Sequence, residues 1–482
     1  MRRHIRSHPP ENHSILRALR IFVLDLTCAV GGCLSTAAAA PRPDLSAALP
    51  EAPTGVEVRS VASFDPPAQA PVRIAAHPSS GRLYVLAVGG DVTLVDPMAR
   101  TQRRVLTGDD YIDRPTRKNV NLPFPIDRKL VNSPFTMGAT VCLGLAFDRQ
   151  RRLYVVSNVQ WPGRILINRV AIYRTPPVEG DGVPSRPALW TRFDYPYGIG
   201  TFNHGACRIA QGPDKRIYLG SGSRTDHGET GNEANLSRNG EGHHPDVPGG
   251  PGFGGGEFTA AVLRFDPDNG QQVPEIYARG HRNPFGFDWD EKGRFIVSNN
   301  GPTADHPEPL YNVRQGKHYG FPYVFGDHEK PDYPDNPAPP PGLKFEKPVR
   351  NVGPAGLLGV HPLYTFTPHS SPNGLTFYRS GELPKKYENT FFVARFGNLV
   401  GFNRIGFDVL NFRLEEQDGE LVAHTESFLD RLGRPIDLCV SGGKLYVVEY
   451  CRQNETQGPG SAGYTLGGRV LEVRGAPKLL TR

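Results

Sequence analysis

One pattern recurs six times along this chain and constrains its fold more than any other feature. A turn or basic residue is followed by a short apolar-aromatic run: GRLYVLA (81–87), RRLYVVS (151–157), KRIYLGS (215–221), GRFIVSN (293–299), NTFFVAR (389–395) and GKLYVVE (443–449). Most copies follow another apolar run that ends in a turn, such as VRIAAHPSS, LGLAFDRQ, CRIAQGPD, FGFDWDEK or IDLCVSGG. Several precede a third: DVTLVDP (91–97), RVAIYRT (169–175), AAVLRFDP (260–267) and GRVLEV (468–473). Runs rich in Val, Ile, Leu, Tyr and Phe and bounded by Gly, Pro, Asp and Ser read as hairpin strands. No comparable helical period exists outside the N-terminus. Self-similar units of about four strands predict an all-β fold, a six-bladed β-propeller. The even recurrence argues against two stacked sandwiches. The copies are spaced more widely than the ~40–50 residues of compact propeller repeats, so long inter-strand loop insertions are expected. A strand within 55–65 is expected to close the ring by pairing with the last blade, which gives one propeller domain over 55–475.

Composition narrows the function. Gly 55 and Pro 47 make up about a fifth of the 482 residues, and 25 Phe and 18 Tyr supply a large core, so disorder, collagen and coiled coil are excluded. No stretch reaches the ~18 apolar residues of a membrane helix. The net charge of +6 falls to +3 without residues 1–40, where Arg2, Arg3, Arg6, Arg17 and Arg20 face only Glu11 and Asp25. So mild a balance gives no reason to expect nucleic-acid binding.

Residues 1–40 read as a secretory signal or a disordered N-terminal segment. A basic start is followed by an apolar stretch at 21–34, then by small residues at Ala38 and Ala40. Export to the periplasm or outside the cell is the expectation. Val30-Gly31-Gly32-Cys33 offers an alternative lipoprotein anchor through Cys33. Four cysteines lie beyond this segment: Cys142, Cys207, Cys439 and Cys451. Their spacing fits neither a zinc site nor attached haem, and leaves one bridge or buried thiols as open alternatives. The longest insertion, 222–258, carries Asp226, His227, Glu229, His243 and His244. It reads as a solvated loop rather than a metal-binding wall, because its spacing fits no metal motif.

A propeller gathers loops from every blade at one end of its axis, so functional residues should recur at equivalent positions. Four segments carry unusual polar residues at such positions: NHGACRIAQGPDKRIYLGSG, YARGHRNPFGFDW, SNNGP running on to GKHYGFPYV, and GRPIDL. Together they resemble the glucose/sorbosone dehydrogenase family, over roughly residues 70–475. These are six-bladed propeller enzymes that use pyrroloquinoline quinone (PQQ) and calcium to oxidise sugars or polyols and pass electrons to an external acceptor. The resemblance implies that His204 is the general base, an imidazole titrating near ~6.5 and able to take the hydroxyl proton. It implies that Arg282 polarises the quinone. Asn283, Asn300 and Arg434 would contact the cofactor, and the backbone carbonyls of Gly301 and Pro302 would hold calcium. Asp305, Glu308 and Tyr319 lie where the family has a second, structural calcium.

The chain departs from the family pattern in places. Ser223 stands where an aspartate usually orients the histidine, and Asp226 is the nearest carboxylate. Ile436 stands where a second cofactor arginine is usual. Arg395 is the nearest cation to the family's fifth-blade lysine. These losses motivate a second reading, a non-catalytic propeller that binds carbohydrate or protein. A calcium-dependent lactonase using Glu449, Asp437 and Glu308 is a third.

Overall fold

The protein is described from a computed structural model covering residues 48–477, apart from 66–68, 117–137, 162–166, 181, 197–203, 225, 228–257, 304, 327–337, 357–363, 400–403 and 453–466. The N-terminal segment, Cys33, His243 and His244 lie outside the described residues. Among the described residues no helix is long and apolar enough to cross a membrane.

The strands run in chain order from β1 (Val56–Ser63). The first sheet holds β2 (Pro71–Ala76), β3 (Leu83–Ala87), β4 (Val92–Asp96) and β5 (Thr101–Leu106). The second holds β6 (Thr140–Phe147), β7 (Arg152–Trp161), β8 (Ile167–Pro177) and β9 (Ala188–Pro196). The third holds β10 (Ala206–Gln211), β11 (Ile217–Ser221), β12 (Ala261–Phe265) and β13 (Glu275–Arg279). The fourth has three described strands: β14 (Gly286–Trp289), β15 (Phe295–Ser298) and β16 (Leu310–Asn312). The fifth has five: β17 (Arg350–Asn351), β18 (Pro372–Tyr378), β19 (Thr390–Arg395), β20 (Asp408–Gln417) and β21 (Glu420–Leu429), with β17 joining parallel to β21. The sixth holds β22 (Pro435–Ser441), β23 (Lys444–Glu449) and β24 (Arg469–Gly475). As the sequence predicts, β1 completes it by pairing antiparallel with β24, Val56 opposite Gly475. The first strands pack in the order β2, β6, β10, β14, β18, β22 and back to β2, so six sheets surround one channel. This is a six-bladed propeller.

The recurring motif is the second strand of each sheet. Its position explains its composition: neighbouring sheets cover both faces, so it reads as a continuous apolar run instead of alternating. All five residues of Leu83–Ala87 are buried, as are all six of Thr390–Arg395. The outer strand β5, TQRRVL, is exposed over its first four residues.

The innermost strands obey a different constraint. They approach one another around the axis, so side chains are excluded at contact points. A Cβ on Gly286 would lie 2.2 Å from the Asn373 carbonyl oxygen, and one on Gly374 would lie 2.7 Å from Asp437 Cα. Five of the six also slip register against their second strand near their N-terminal ends: at Pro71/Arg73, Cys142/Gly144, Ala206/Ile209, Pro372/Gly374 and Pro435/Asp437. A bulge re-aims the side chains that follow it. Three of these are charged and join in one layer across the channel. Asp437 Oδ1 accepts Arg73 at 3.3 Å and Arg208 at 3.1 Å, and its Oδ2 accepts the Ile74 amide at 3.0 Å. Arg73 also donates to the Leu143 carbonyl at 2.6 Å and the Phe285 carbonyl at 2.8 Å, with its guanidinium 4.1 Å from the Phe285 ring centroid. This buried knot ties five of the six sheets beneath the end of the channel where the first strands begin. The four described cysteines are buried free thiols.

Candidate active site at the channel mouth

Every first strand starts at the same end of the channel, and every second strand finishes there. His204 lies just before β10, Arg282 and Asn283 just before β14, and Arg434 just before β22. Asn300 to Pro302 follow β15, and Arg395 ends β19. The topology therefore brings the predicted residues to one mouth. Hydrogen bonds show how closely they are joined. The His204 amide donates to the Ser223 carbonyl at 2.9 Å, the Ser223 amide to the Arg282 carbonyl at 2.6 Å, and the Asn300 amide to the Asn283 carbonyl at 3.0 Å. The Asn300 side-chain amide continues to Asn373 Oδ1 at 2.8 Å in the fifth sheet.

His204 is half-buried, and the backbone two residues after it is clamped by a side chain that the sequence did not flag. Asn158, at the end of the second-sheet motif, donates to the Ala206 carbonyl at 2.8 Å and accepts the Ala206 amide at 2.8 Å. It thereby imitates a paired strand. Asn168 supports Asn158 at 3.2 Å and the Tyr195 hydroxyl at 2.6 Å. A side chain at position 222 would place a Cβ 2.3 Å from His204 Cβ, so Gly222 is required there. Burial, then the Arg282 charge, holds the His204 imidazole well below its ordinary value, so it is neutral at pH 7. Ser223 Oγ lies 3.5 Å from Nδ1.

The carboxylate at Asp226 serves Arg282. Arg282 Nη2 meets Asp226 Oδ1 at 2.5 Å, Nε donates to the Asp226 carbonyl at 2.6 Å, and Nη1 reaches the Asn300 carbonyl at 3.2 Å. Thr303 caps the same carboxylate through its hydroxyl and through its amide at 3.2 Å. A buried guanidinium gripped from two directions is a preorganised donor. Asn283 is fixed through its amide, which donates to Asn299 Oδ1 at 2.8 Å. Asn300 Oδ1 is buried with no hydrogen-bond partner among the described residues. Arg434 is buried, with its guanidinium 5.0 Å from the Phe396 ring and 4.9 Å from that of Phe407, and 3.3 Å from the Asn398 carbonyl.

Other predicted residues are engaged separately. Arg395 forms a fork with Asp408 across β19 and β20, its Nε at 2.8 Å. Glu308 accepts the Ser370 hydroxyl at 3.0 Å and the Ser371 amide at 2.5 Å, and burial pushes its carboxyl up to about 7. Asp305 pairs with His369 at 2.9 Å, while the Tyr319 hydroxyl accepts the Arg314 amide at 2.7 Å. These three oxygens serve different partners, and the described residues hold no cluster of three or more His, Cys, Asp or Glu able to bind a metal. The carboxylates considered for hydrolysis are likewise dispersed, Asp437 to Arg73 and Arg208, Glu449 to Arg469. A groove of about 370 Å³ lined by Tyr111, Arg169 and Arg192 lies against the second sheet, and none of the predicted residues lines it.

His281, beside Arg282, is fully buried with both ring nitrogens unbonded among the described residues. It stacks on Tyr319 at 4.6 Å. Burial, then His318, lowers its pKa to about 3. The folded value lies below the unfolded ~6.5, so the unfolded chain binds more protons and stability is lost as pH falls below ~6.5. His281→Phe keeps the stacking and removes the unmet polar atoms. It should stabilise by about 1–3 kcal/mol at pH 7. In urea melts at pH 7 and pH 5 it should also shrink the difference between the two by about 2 kcal/mol. Unchanged pH dependence would contradict this.

The sequence profile of the glucose/sorbosone dehydrogenase family matches residues 188–450, more than half of the chain. An uncharacterized protein of Borreliella burgdorferi is 27% identical over 201 residues, 36% of this chain and 49% of that one. Quinoprotein glucose dehydrogenase B of Acinetobacter calcoaceticus is 29% identical over 141 residues, 27% of this chain and 28% of that one. The chain thus spans about half or less of the length of these curated relatives. Among solved structures, the PQQ-bound aldose sugar dehydrogenase of Streptomyces coelicolor is 20% identical with a TM-score of 0.50, covering 88% of this chain and 100% of that one. The soluble aldose sugar dehydrogenase of Escherichia coli, in its apo form, is 15% identical with a TM-score of 0.53, covering 87% and 100%. At these identities the two structures show a shared fold. The profile match over most of the propeller, from the second sheet to the sixth, makes this chain a member of the glucose/sorbosone dehydrogenase family.

Proposed function

We propose that the chain is a PQQ-dependent oxidoreductase acting on a hydroxyl of a sugar or polyol, exported from the cytoplasm and delivering electrons to an external acceptor. The observation that carries this reading is the gathering of His204, Arg282, Asn283, Asn300 and Arg434 at one channel mouth, with Asn300 Oδ1 buried and unsatisfied among the described residues. That inventory suits PQQ, a flat anion with three carboxylates. Arg434 would meet a carboxylate, Arg282 a quinone oxygen, and Asn283 and Asn300 the polar edge. Calcium, a hard cation, would take oxygen from Asn300 Oδ1 and the carbonyls of Gly301 and Pro302. Asp305, Glu308 and Tyr319, engaged elsewhere, form no part of this proposal.

When bound, the quinone supplies the acceptor for the hydride leaving the substrate carbon. His204 takes the hydroxyl proton. For Nε2 to do so, Nδ1 must carry its hydrogen, and Ser223 Oγ is the oxygen placed to accept it. Burial, then the Arg282 charge, keeps the imidazole neutral beforehand, and the aligned donors of Arg282 stabilise negative charge as it develops. Reconstitution with PQQ and calcium should give sugar-dependent dye reduction. Ser223, which stands where the family usually has an aspartate, favours one alternative, a carbohydrate-binding propeller without turnover. Glycan binding without PQQ binding in titration calorimetry would select it.

A further inference from the structure

We propose that Glu449, together with Arg469, is a positioning residue that sets the Arg434 guanidinium for an anionic, carboxylate-bearing cofactor. This inference rests on the reading of the mouth as a PQQ site. Glu449 ends β23 and is completely buried. Its two oxygens do different work. One accepts the Gly433 amide at 2.5 Å, and the other accepts Arg469 Nε at the start of β24. Arg469 also donates to the Ala48 carbonyl at 3.1 Å.

The carboxylate therefore grips the residue immediately before Arg434. Two backbone bonds fix Arg434 itself: its amide donates to the Cys451 carbonyl at 2.9 Å, and its carbonyl accepts the Tyr450 amide at 2.8 Å. The contact is so close that a Cβ on Gly433 would lie 2.1 Å from the Cys451 carbonyl oxygen. With the backbone pinned on both sides, the guanidinium is aimed between Phe396 and Phe407. A turn alone does not need a buried ion pair, which is a costly device to desolvate. It is useful here because Glu449 cancels the Arg469 charge. A ligand anion at the mouth is then drawn to Arg434 and not to a second buried cation behind it.

The test is a fluorescence titration of PQQ, with calcium, into the full chain and into E449Q, R434A and the double variant, with Tm measured without PQQ. E449Q keeps the size of the side chain but removes the charge with which it holds the Gly433 amide and Arg469. It should weaken PQQ binding about tenfold or more. In the R434A background it should cause no further loss, because Glu449 acts through Arg434. Where E449Q fails to fold, E449D, which keeps the charge but shortens the reach to the Gly433 amide, is titrated against R434A in the same way, with the same expectation. A lowered Tm with unchanged PQQ affinity, or losses that multiply with those of R434A, would overturn the inference. Wild-type chain that binds no PQQ would overturn the cofactor reading itself, and this inference with it.

Discussion

His204→Gln should lower PQQ- and sugar-dependent turnover by about 10²–10⁴-fold, the range expected for loss of a positioned general base. Affinity for PQQ should be retained, because Arg282, Arg434 and Asn300 are untouched. The substitution tests chemistry separately from assembly: Gln fills similar space and hydrogen-bonds, but it cannot accept the proton. Because burial and Arg282 hold the imidazole well below its ordinary value, the base is already neutral at pH 6.5. His204 should therefore cause no loss of kcat/KM between pH 8 and 6.5, and the acid limb should lie lower. Turnover that survives the substitution would move the base elsewhere.

Asp437→Asn should destabilise the propeller by about 3–5 kcal/mol, the cost of breaking a buried ion pair by removing one partner. The carboxylate is completely buried and serves two guanidinium groups and one backbone amide. Asn can still accept the Ile74 amide, so the loss isolates the charge. It leaves Arg73, also completely buried, and Arg208 without their counter-ion. Chemical denaturation of the two proteins at pH 7 measures the difference. Arg73→Met in the Asp437→Leu background, which removes both members of one pair, should recover part of the loss. A change below about 1 kcal/mol would mean that the knot is not what joins the sheets around the channel.

The fold was legible because the second strand of each sheet is covered on both faces, which writes the same apolar run six times. The closing role of β1 was legible for a related reason, since the stretch 55–65 has strand composition and no other partner nearby. The site was legible only where short motifs carry it: the residues around His204, Arg282, Asn300 and Arg434 stand beside strand ends that the repeat already marks. What supports them was not. Asn158 looks like the polar end of a strand until the third sheet packs against it. Asp226, the carboxylate nearest Ser223 in the sequence, is bound to Arg282 and Thr303. Arg73 read as an ordinary polar position and Asp437 as a candidate hydrolytic carboxylate, because the bulges that turn them into the channel leave no mark in composition. Pairing across about 360 residues of chain is set by ring closure, and no local pattern reports it.

The most direct measurement is a calorimetric titration of PQQ, with calcium, into the full chain and into Arg282→Ala and Arg434→Ala. The account predicts one PQQ per chain and affinities about tenfold or more weaker in each variant, as expected for the loss of a charge-assisted contact. A wild-type chain that takes up no PQQ, or variants that bind it as tightly as wild type, would contradict it.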